Sequence, residues 1–321
     1  MSKNLTTFFV VFLISLPIFW GINVFQKNLE DFLFWQEIAD NPQILTAQIS
    51  SEIQWQKLKP IRNRQIPALE IEAKSAIAVL MKPDGSQKIL FEKEKDKILP
   101  IASLTKLMTA NIVLENYNLS QLIEINEQAI KEKEETGNFK IGEIFLVEQL
   151  LYPLLMESSN DAAIALAEVI GKKAFVDLMN LEVKNLGLEN THFVNPTGLD
   201  PDNPQGSINH STAKDLVKLA SHLLKENPLI WEILSLSEFN FLTEDGVFHH
   251  KIINTNKLLA ELPTIIGGKT GTTPRSGNCL LLVVKAPKNK GYLINVILGA
   301  KEGRFEEMKK LINWLNAAYK W

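Results

Sequence analysis

The sequence predicts an α+β fold in which an antiparallel sheet is assembled from the two ends of one domain, flanked by helices, with a helical region inserted between them. Three observations predict it. Two short apolar runs, AIAVLM over 76–81 and KILF over 88–91, flank Pro83-Asp84-Gly85-Ser86, which has the composition of a hairpin turn. The middle of the chain, roughly 147–224, carries three stretches of helical period. Strand-like texture then returns over 265–272, 279–284 and 292–298, ahead of an amphipathic stretch at 304–319.

The totals are those of a globular protein with a real core. The 321 residues are 45% hydrophobic and 22% charged. A formal net charge of -3 gives no electrostatic reason to expect a nucleic-acid partner. The single cysteine, Cys279, excludes an internal disulfide, and the five histidines show no ligand spacing such as His-Glu-x-x-His. No metal and no cofactor is predicted.

In chain order, residues 5–25 contain no charged side chain and as a helix are long enough to cross about 30 Å of hydrocarbon. Lys3 and the amino terminus are the only positive charges ahead of them, which predicts a cytoplasmic N-terminus and an exported remainder. A cleaved signal peptide is the competing reading, but no small-x-small site follows the run. The expectation is an N-terminal membrane anchor over 1–25 and an extracytoplasmic stalk over 26–69, which lacks a clean period and ends in a basic patch at 57–64. The folded domain is expected over 70–321.

Within it, the charged segment 92–97 leads to Pro100-Ile101-Ala102-Ser103-Leu104-Thr105-Lys106, read as the start of a helix that finishes over 111–118. Residues 121–125 form a weak strand, and 131–135 a solvated charged turn. Over 147–168 a helical pattern is broken by Glu157-Ser158-Ser159-Asn160-Asp161. Another helix over 172–186 is closed by Gly187. Asn195-Pro196-Thr197-Gly198-Leu199-Asp200 is turn chemistry, and a helix over 211–224 follows, capped by Ser211 or Thr212. His210 is taken as structural; His249 and His250, adjacent in a polar stretch, receive no role. Lys269 falls on a strand among Gly267, Gly268 and Gly271, which allow a ligand to approach the backbone closely.

The chemistry begins with Ser103 and Lys106. On a helix a three-residue offset turns the second side chain about 60° and carries it roughly 4.5 Å along the axis, so the two share a face. A serine hydroxyl becomes a good nucleophile only when a neighbouring base takes its proton. A lysine can serve if it is neutral part of the time, which a helix N-terminus and a second cation in the cleft both favour. Ser-x-x-Lys alone occurs often by chance. Here it is followed by Ser158-Ser159-Asn160 and then by Lys269-Thr270-Gly271, an ordered set shared by penicillin-binding proteins and class A β-lactamases.

With LPIASLTKLMTA, LLYPLLMESSNDAAIALAE, NPTGLD, NTNKLL and GGKTGTT, the chain resembles the low-molecular-mass penicillin-binding proteins of the D-alanyl-D-alanine carboxypeptidase type, serine peptidase family S11, over roughly 75–314. The resemblance implies a β-lactamase/penicillin-binding transpeptidase-like fold. It implies a serine carboxypeptidase that removes the terminal D-alanine from peptidoglycan stem peptides ending in D-Ala-D-Ala, and that β-lactams acylate covalently. Ser103 would attack the peptide carbonyl and Lys106 would take its proton. Ser158 would relay a proton to the leaving D-alanine, and Asn160 would hold Lys106 and the substrate amide. Lys269 would raise the local positive potential, and Thr270 would bind the substrate carboxylate. The backbone N–H groups of Ser103 and Thr272, with Gly271 beside them, would form the oxyanion hole.

Two positions depart from the family pattern. The middle motif is Ser-Ser-Asn where Ser-Gly-Asn is usual, and Thr255 stands where some relatives carry a carboxylate-binding arginine, leaving Arg275 as a substitute. The sequence also stops short of the extra β-domain and amphipathic tail of many relatives, an absence that an N-terminal anchor fits. Among rivals, a class A β-lactamase would need Glu-x-x-Leu-Asn between Asn160 and Lys269, and the sequence lacks it there. A D,D-endopeptidase cleaving peptidoglycan cross-links uses the same catalytic set. A non-catalytic wall-binding homologue would need neither Ser103 nor Lys106.

Overall fold

The computed structural model describes residues 60–130, 137–301 and 303–321, with Leu29 and Gln36 besides, and the chain divides into two compact units, Met1–Ile61 and Arg62–Trp321. The expected anchor at 5–25, most of the stalk and the turn at 131–135 lie outside the described residues. Among those described, no helix is long and apolar enough to cross a membrane.

The second unit is built on five strands: β1 (Ser75–Met81), β2 (Gln87–Lys93), β3 (Ile265–Thr273), β4 (Gly277–Lys285) and β5 (Tyr292–Ala300). Their order is β3-β4-β5-β1-β2, antiparallel throughout, so the two ends of the domain meet where β5 pairs with β1. All seven residues of β1 are buried. Ile77, Val79 and Met81 enter one core and Ala76, Ala78 and Leu80 the other. A sheet covered on both faces explains why these strands read as unbroken apolar runs rather than as alternating ones.

Among the described residues, seven α-helices complete the unit: α1 (Lys106–Asn116), α2 (Val147–Tyr152), α3 (Asn160–Glu168), α4 (Lys172–Asn185), α5 (Ala213–Glu226), α6 (Pro228–Ser235) and α7 (Arg304–Ala318). Met308, Leu311 and Leu315 of α7 pack on one face of the sheet, while α5 and α6 cover much of the other. Residues just after the unit's start are held to α7: the Arg62 guanidinium lies 4.7 Å from the centre of the Trp314 ring, whose Nε1 donates to the Pro67 carbonyl. α1 packs mainly in the inserted helical region, against α3, α4 and the turn before α3. Its residues from Lys106 to Val113 are all buried, the signature of a helix enclosed on every side.

The larger elements that the sequence reading missed are a helix and a hairpin. α6 opens on Pro228, which suits a first helical position because its missing N–H has no partner there in any case. A hairpin pairs Glu238–Leu242 with Phe248–Ile253 across Asp245-Gly246, a turn signal overlooked in a polar stretch. The weak strand Leu122–Glu124 does exist, paired with Ile144–Leu146. At the site end of the sheet β3 is an edge strand, and the turn carrying Ser103 lies against it.

Candidate active site

Ser103 does not open the α-helix directly. Ala102–Thr105 forms a 3₁₀ turn, and α1 begins at Lys106. In a 3₁₀ turn residues three apart eclipse, which aligns Ser103 with Lys106 more closely than the 60° offset of an α-helix would. Ala102 enters the turn at φ 47°, a left-handed conformation that a residue with a Cβ adopts at a cost of order 1–3 kcal/mol. The surroundings hold it there. At Gly271 of β3 an added Cβ would lie 2.9 Å from the Ser103 nitrogen, so only a glycine lets the strand run this close to the nucleophile turn.

Lys106 is fully buried while Ser103 is partly exposed. Lys106 Nζ lies 3.2 Å from Ser103 Oγ, and donates to Asn160 Oδ1 and to the Thr197 carbonyl, both at 2.7 Å. A buried amine held by two acceptors, with its remaining direction toward a solvent-reachable hydroxyl, is placed to exchange a proton with that hydroxyl.

The Thr197 carbonyl was not foreseen as part of the site. It belongs to the turn 195–200, which Asn195 Oδ1 folds by accepting from the N–H groups of Thr197 and Gly198. The buried Asn209 ties that turn to the nucleophile segment: its Nδ2 donates to Thr105 Oγ1 and to the Asn195 carbonyl, and its Oδ1 accepts from the Val194 and Asn195 N–H groups. Thr109 Oγ1 donates to the Pro196 carbonyl from α1. The NPTGLD string signalled a turn; Asn209 carried no sequence signal.

The break in the 147–168 pattern is a π turn, Pro153–Glu157, followed by Ser158 in a left-handed conformation at φ 68°. This projects Ser158 Oγ to accept from Lys269 Nζ at 2.8 Å. The next residue explains the departure from the family's middle motif. Ser159 is buried and its Oγ accepts from the Ala162 N–H as N-cap of α3, an interaction worth about 1 kcal/mol that places Asn160 at the first position of that helix.

Lys269 is buried and also donates to the Thr270 carbonyl. Burial first, then the charges of Lys106 and Arg304, hold its amine well below the ordinary lysine range. Two amines in one dry cleft oppose each other's protonation, and that leaves room for a neutral one at neutral pH. Arg304, at the start of α7, donates to the Gly271 carbonyl at 2.7 Å and to Thr272 Oγ1 at 2.5 Å, bracing the end of β3. Thr270 Oγ1 lies 2.7 Å from Thr255 Oγ1, so Thr255 occupies the flank of the Lys-Thr-Gly strand. Arg275, expected as the substitute cation, has local partners. Its guanidinium donates to the Gly206 carbonyl and its backbone N–H to Asp200, in an exposed loop.

The structure therefore brings together two hydrogen-bonded groups, Ser103–Lys106–Asn160 and Ser158–Lys269, close enough that the charge of Lys106 acts on Lys269, with Thr270, Gly271 and Thr272 on the edge strand beside them. It can present an activated alcohol to a carbonyl lying along β3.

Known proteins are similar to the chain in sequence and in fold. The family described as D-alanyl-D-alanine carboxypeptidase matches residues 62–302. The D-alanyl-D-alanine carboxypeptidase DacF of Bacillus subtilis is 31% identical over 262 residues, covering 77% of this chain and 63% of its own. The D-alanyl-D-alanine endopeptidase of Escherichia coli is 31% identical over 251 residues, covering 77% of this chain and 78% of its own. Among solved structures, penicillin-binding protein D2 of Listeria monocytogenes in its cefotaxime-bound form superposes with a TM-score of 0.67 at 30% identity, covering 78% of this chain and all of that one. The chain spans 61–63% of the length of the carboxypeptidases DacF, DacA and DacC that it matches. With the fold, the three motifs and a match over most of the domain in agreement, the chain belongs to the D-alanyl-D-alanine carboxypeptidase family of serine peptidases, S11.

Proposed function

We propose that this protein is a serine D-Ala-D-Ala carboxypeptidase that removes the terminal D-alanine from peptidoglycan stem peptides, and that β-lactams acylate it at the same serine. The observation that carries the reading is the position of Lys106 Nζ, 3.2 Å from Ser103 Oγ and locked on its other sides by Asn160 and Thr197. Lys106 accepts the Ser103 proton as Oγ attacks the carbonyl of the D-Ala-D-Ala bond. The tetrahedral oxygen collects charge at the N–H groups of Ser103 and Thr272, where it gains most in the transition state. Collapse expels D-alanine, its amine protonated through Ser158, and leaves the acyl-enzyme for water to hydrolyse. Lys269 and Thr270 meet the substrate's carboxylate, Lys269 from beneath Ser158.

The uncharged run over 5–25 with Lys3 ahead of it supports a chain held in the cell membrane by its N-terminus, cytoplasmic at that end, with the catalytic domain outside. That placement puts the site where peptidoglycan is.

A second reading, D,D-endopeptidase, is favoured by one observation. The endopeptidases of Pseudomonas aeruginosa and Escherichia coli match over 76% and 78% of their own lengths, a larger share than the carboxypeptidases DacF, DacA and DacC, although the carboxypeptidase of Streptomyces sp. K15 matches over 84% of its own. The deciding measurement compares a monomeric pentapeptide ending in D-Ala-D-Ala with a cross-linked peptide dimer. The proposal expects free D-alanine from the pentapeptide at the higher kcat/KM; cleavage of the dimer with no D-alanine from the monomer selects the endopeptidase.

A further inference from the structure

His249 and His250, left without a role by the sequence, join two carboxylates in a continuous row. Glu143 Oε2 lies 3.2 Å from His249 Nε2, His249 Nδ1 lies 2.6 Å from His250 Nδ1, and His250 Nε2 lies 3.3 Å from both oxygens of Glu157. The row runs from the loop before Ile144–Leu146, through the strand Phe248–Ile253, to the last residue of the π turn. Phe139, Phe145 and Phe241 pack on the imidazoles.

Counting protons shows what the row requires. Three contacts in series need three hydrogens, one between each pair of facing lone-pair atoms. Two neutral imidazoles carry one each. The third must come from an imidazolium or from a protonated carboxyl. Burial raises the Glu157 carboxyl to about 7, against a smaller opposing pull from His249, while burial lowers His250. Both shifts place the extra hydrogen on Glu157, donating to a bare His250 Nε2. His250 Nδ1–H then donates to His249 Nδ1, and His249 Nε2–H to the Glu143 carboxylate. Among the described residues, the ionisable groups acting on Glu157 and His250 belong to the row itself; Lys269 lies beyond Ser158.

Glu157 is bonded directly to Ser158, whose left-handed backbone aims its hydroxyl at Lys269. On the other side of the same turn, the Met156 carbonyl accepts from Thr255 N–H and Oγ1, a few residues beyond His250. The strand Phe248–Ile253 and the residues just after it thus grip the turn twice, and one of the two grips depends on a proton.

We propose that Glu143, His249, His250 and Glu157 are positioning residues, a row holding one extra proton that fixes the Ser158 turn, so that acylation at Ser103 weakens as that proton leaves. The inference rests on Ser103 being the acylated residue. Glu157 has a folded-state pKa above its unfolded value, so its contribution is complete below about pH 4.5 and is lost as pH rises through about 7.

The test is the acylation rate of the full chain by a fluorescent penicillin, from about pH 5.5 to about pH 9, for the parent, Glu157→Gln and Glu143→Gln. An amide at either end supplies the missing hydrogen at every pH and closes the row. Dividing each variant's rate by the parent's removes any pH dependence that they share. The expected quotient is near 1 at the acid end and rises at least about fivefold at the alkaline end for both variants. Flat quotients overturn the row, and so does a rise confined to Glu157→Gln, which marks a local charge effect. If the parent is not acylated at any pH, the assignment of Ser103 fails first and the row's role falls with it.

Discussion

Replacing Lys106 with methionine is expected to lower the acylation rate by a penicillin roughly 10²–10⁴-fold, the usual contribution of a positioned acid or base. The argument is geometric. Methionine fills the volume of the lysine stem but offers no basic nitrogen to the Ser103 hydroxyl, whose oxygen lies 3.2 Å from the lysine amine. Lys106→Arg does not restore the rate, because a guanidinium stays protonated and cannot act as the base. A role confined to positive charge would be rescued by arginine. Methionine strands the Asn160 oxygen and the Thr197 carbonyl, each at a cost of about 1–3 kcal/mol if left unpaired, and arginine must fit a larger head into the same buried space, so thermal unfolding is followed alongside the rate. A stopped-flow measurement of acylation on folded protein separates the two effects.

Gly198→Ala is expected to disable the site from the other side. Gly198 has φ 89°, where an L side chain is strained, and an added Cβ would fall 2.1 Å from the Ala102 carbonyl oxygen and 2.9 Å from the Ser103 nitrogen. Neither atom is the end of a flexible side chain. The loop must back away, taking with it the Thr197 carbonyl that holds Lys106, or the 3₁₀ turn must leave its left-handed entry at Ala102. We expect a stability loss of roughly 2–4 kcal/mol in urea and a fall in acylation of about 10²-fold. Parent-like values for both would mean that the contact between these two turns does not hold the nucleophile in place.

The three motifs were legible because their chemistry is written in residue type over short distances: Ser103 three before Lys106, and Ser158 two before Asn160. The sheet was legible because β1, β4 and β5 are buried on both faces and read as apolar runs. What the sequence withheld are contacts made by backbone atoms and by polar residues far along the chain. Nothing in the identity of Thr197 marks its carbonyl as an acceptor for Lys106, and Asn209 looks like any loop asparagine until it is found bridging two turns. The partners of Arg275 were hidden for the same reason. Its charge suggested a substrate carboxylate, but Asp200 and the Gly206 carbonyl anchor it locally. His249 and His250 drew no assignment because their carboxylate partners stand about a hundred residues upstream.

The account turns on Ser103 being the atom that is acylated, and peptide mapping of the penicillin-treated protein tests that most directly. Tryptic cleavage after Lys97 and Lys106 releases residues 98–106, in which Ser103 is the only serine. The account predicts the penicilloyl mass on that peptide and its loss in Ser103→Ala. An adduct on the peptide carrying Ser158 and Ser159, or one that persists in Ser103→Ala, would contradict it.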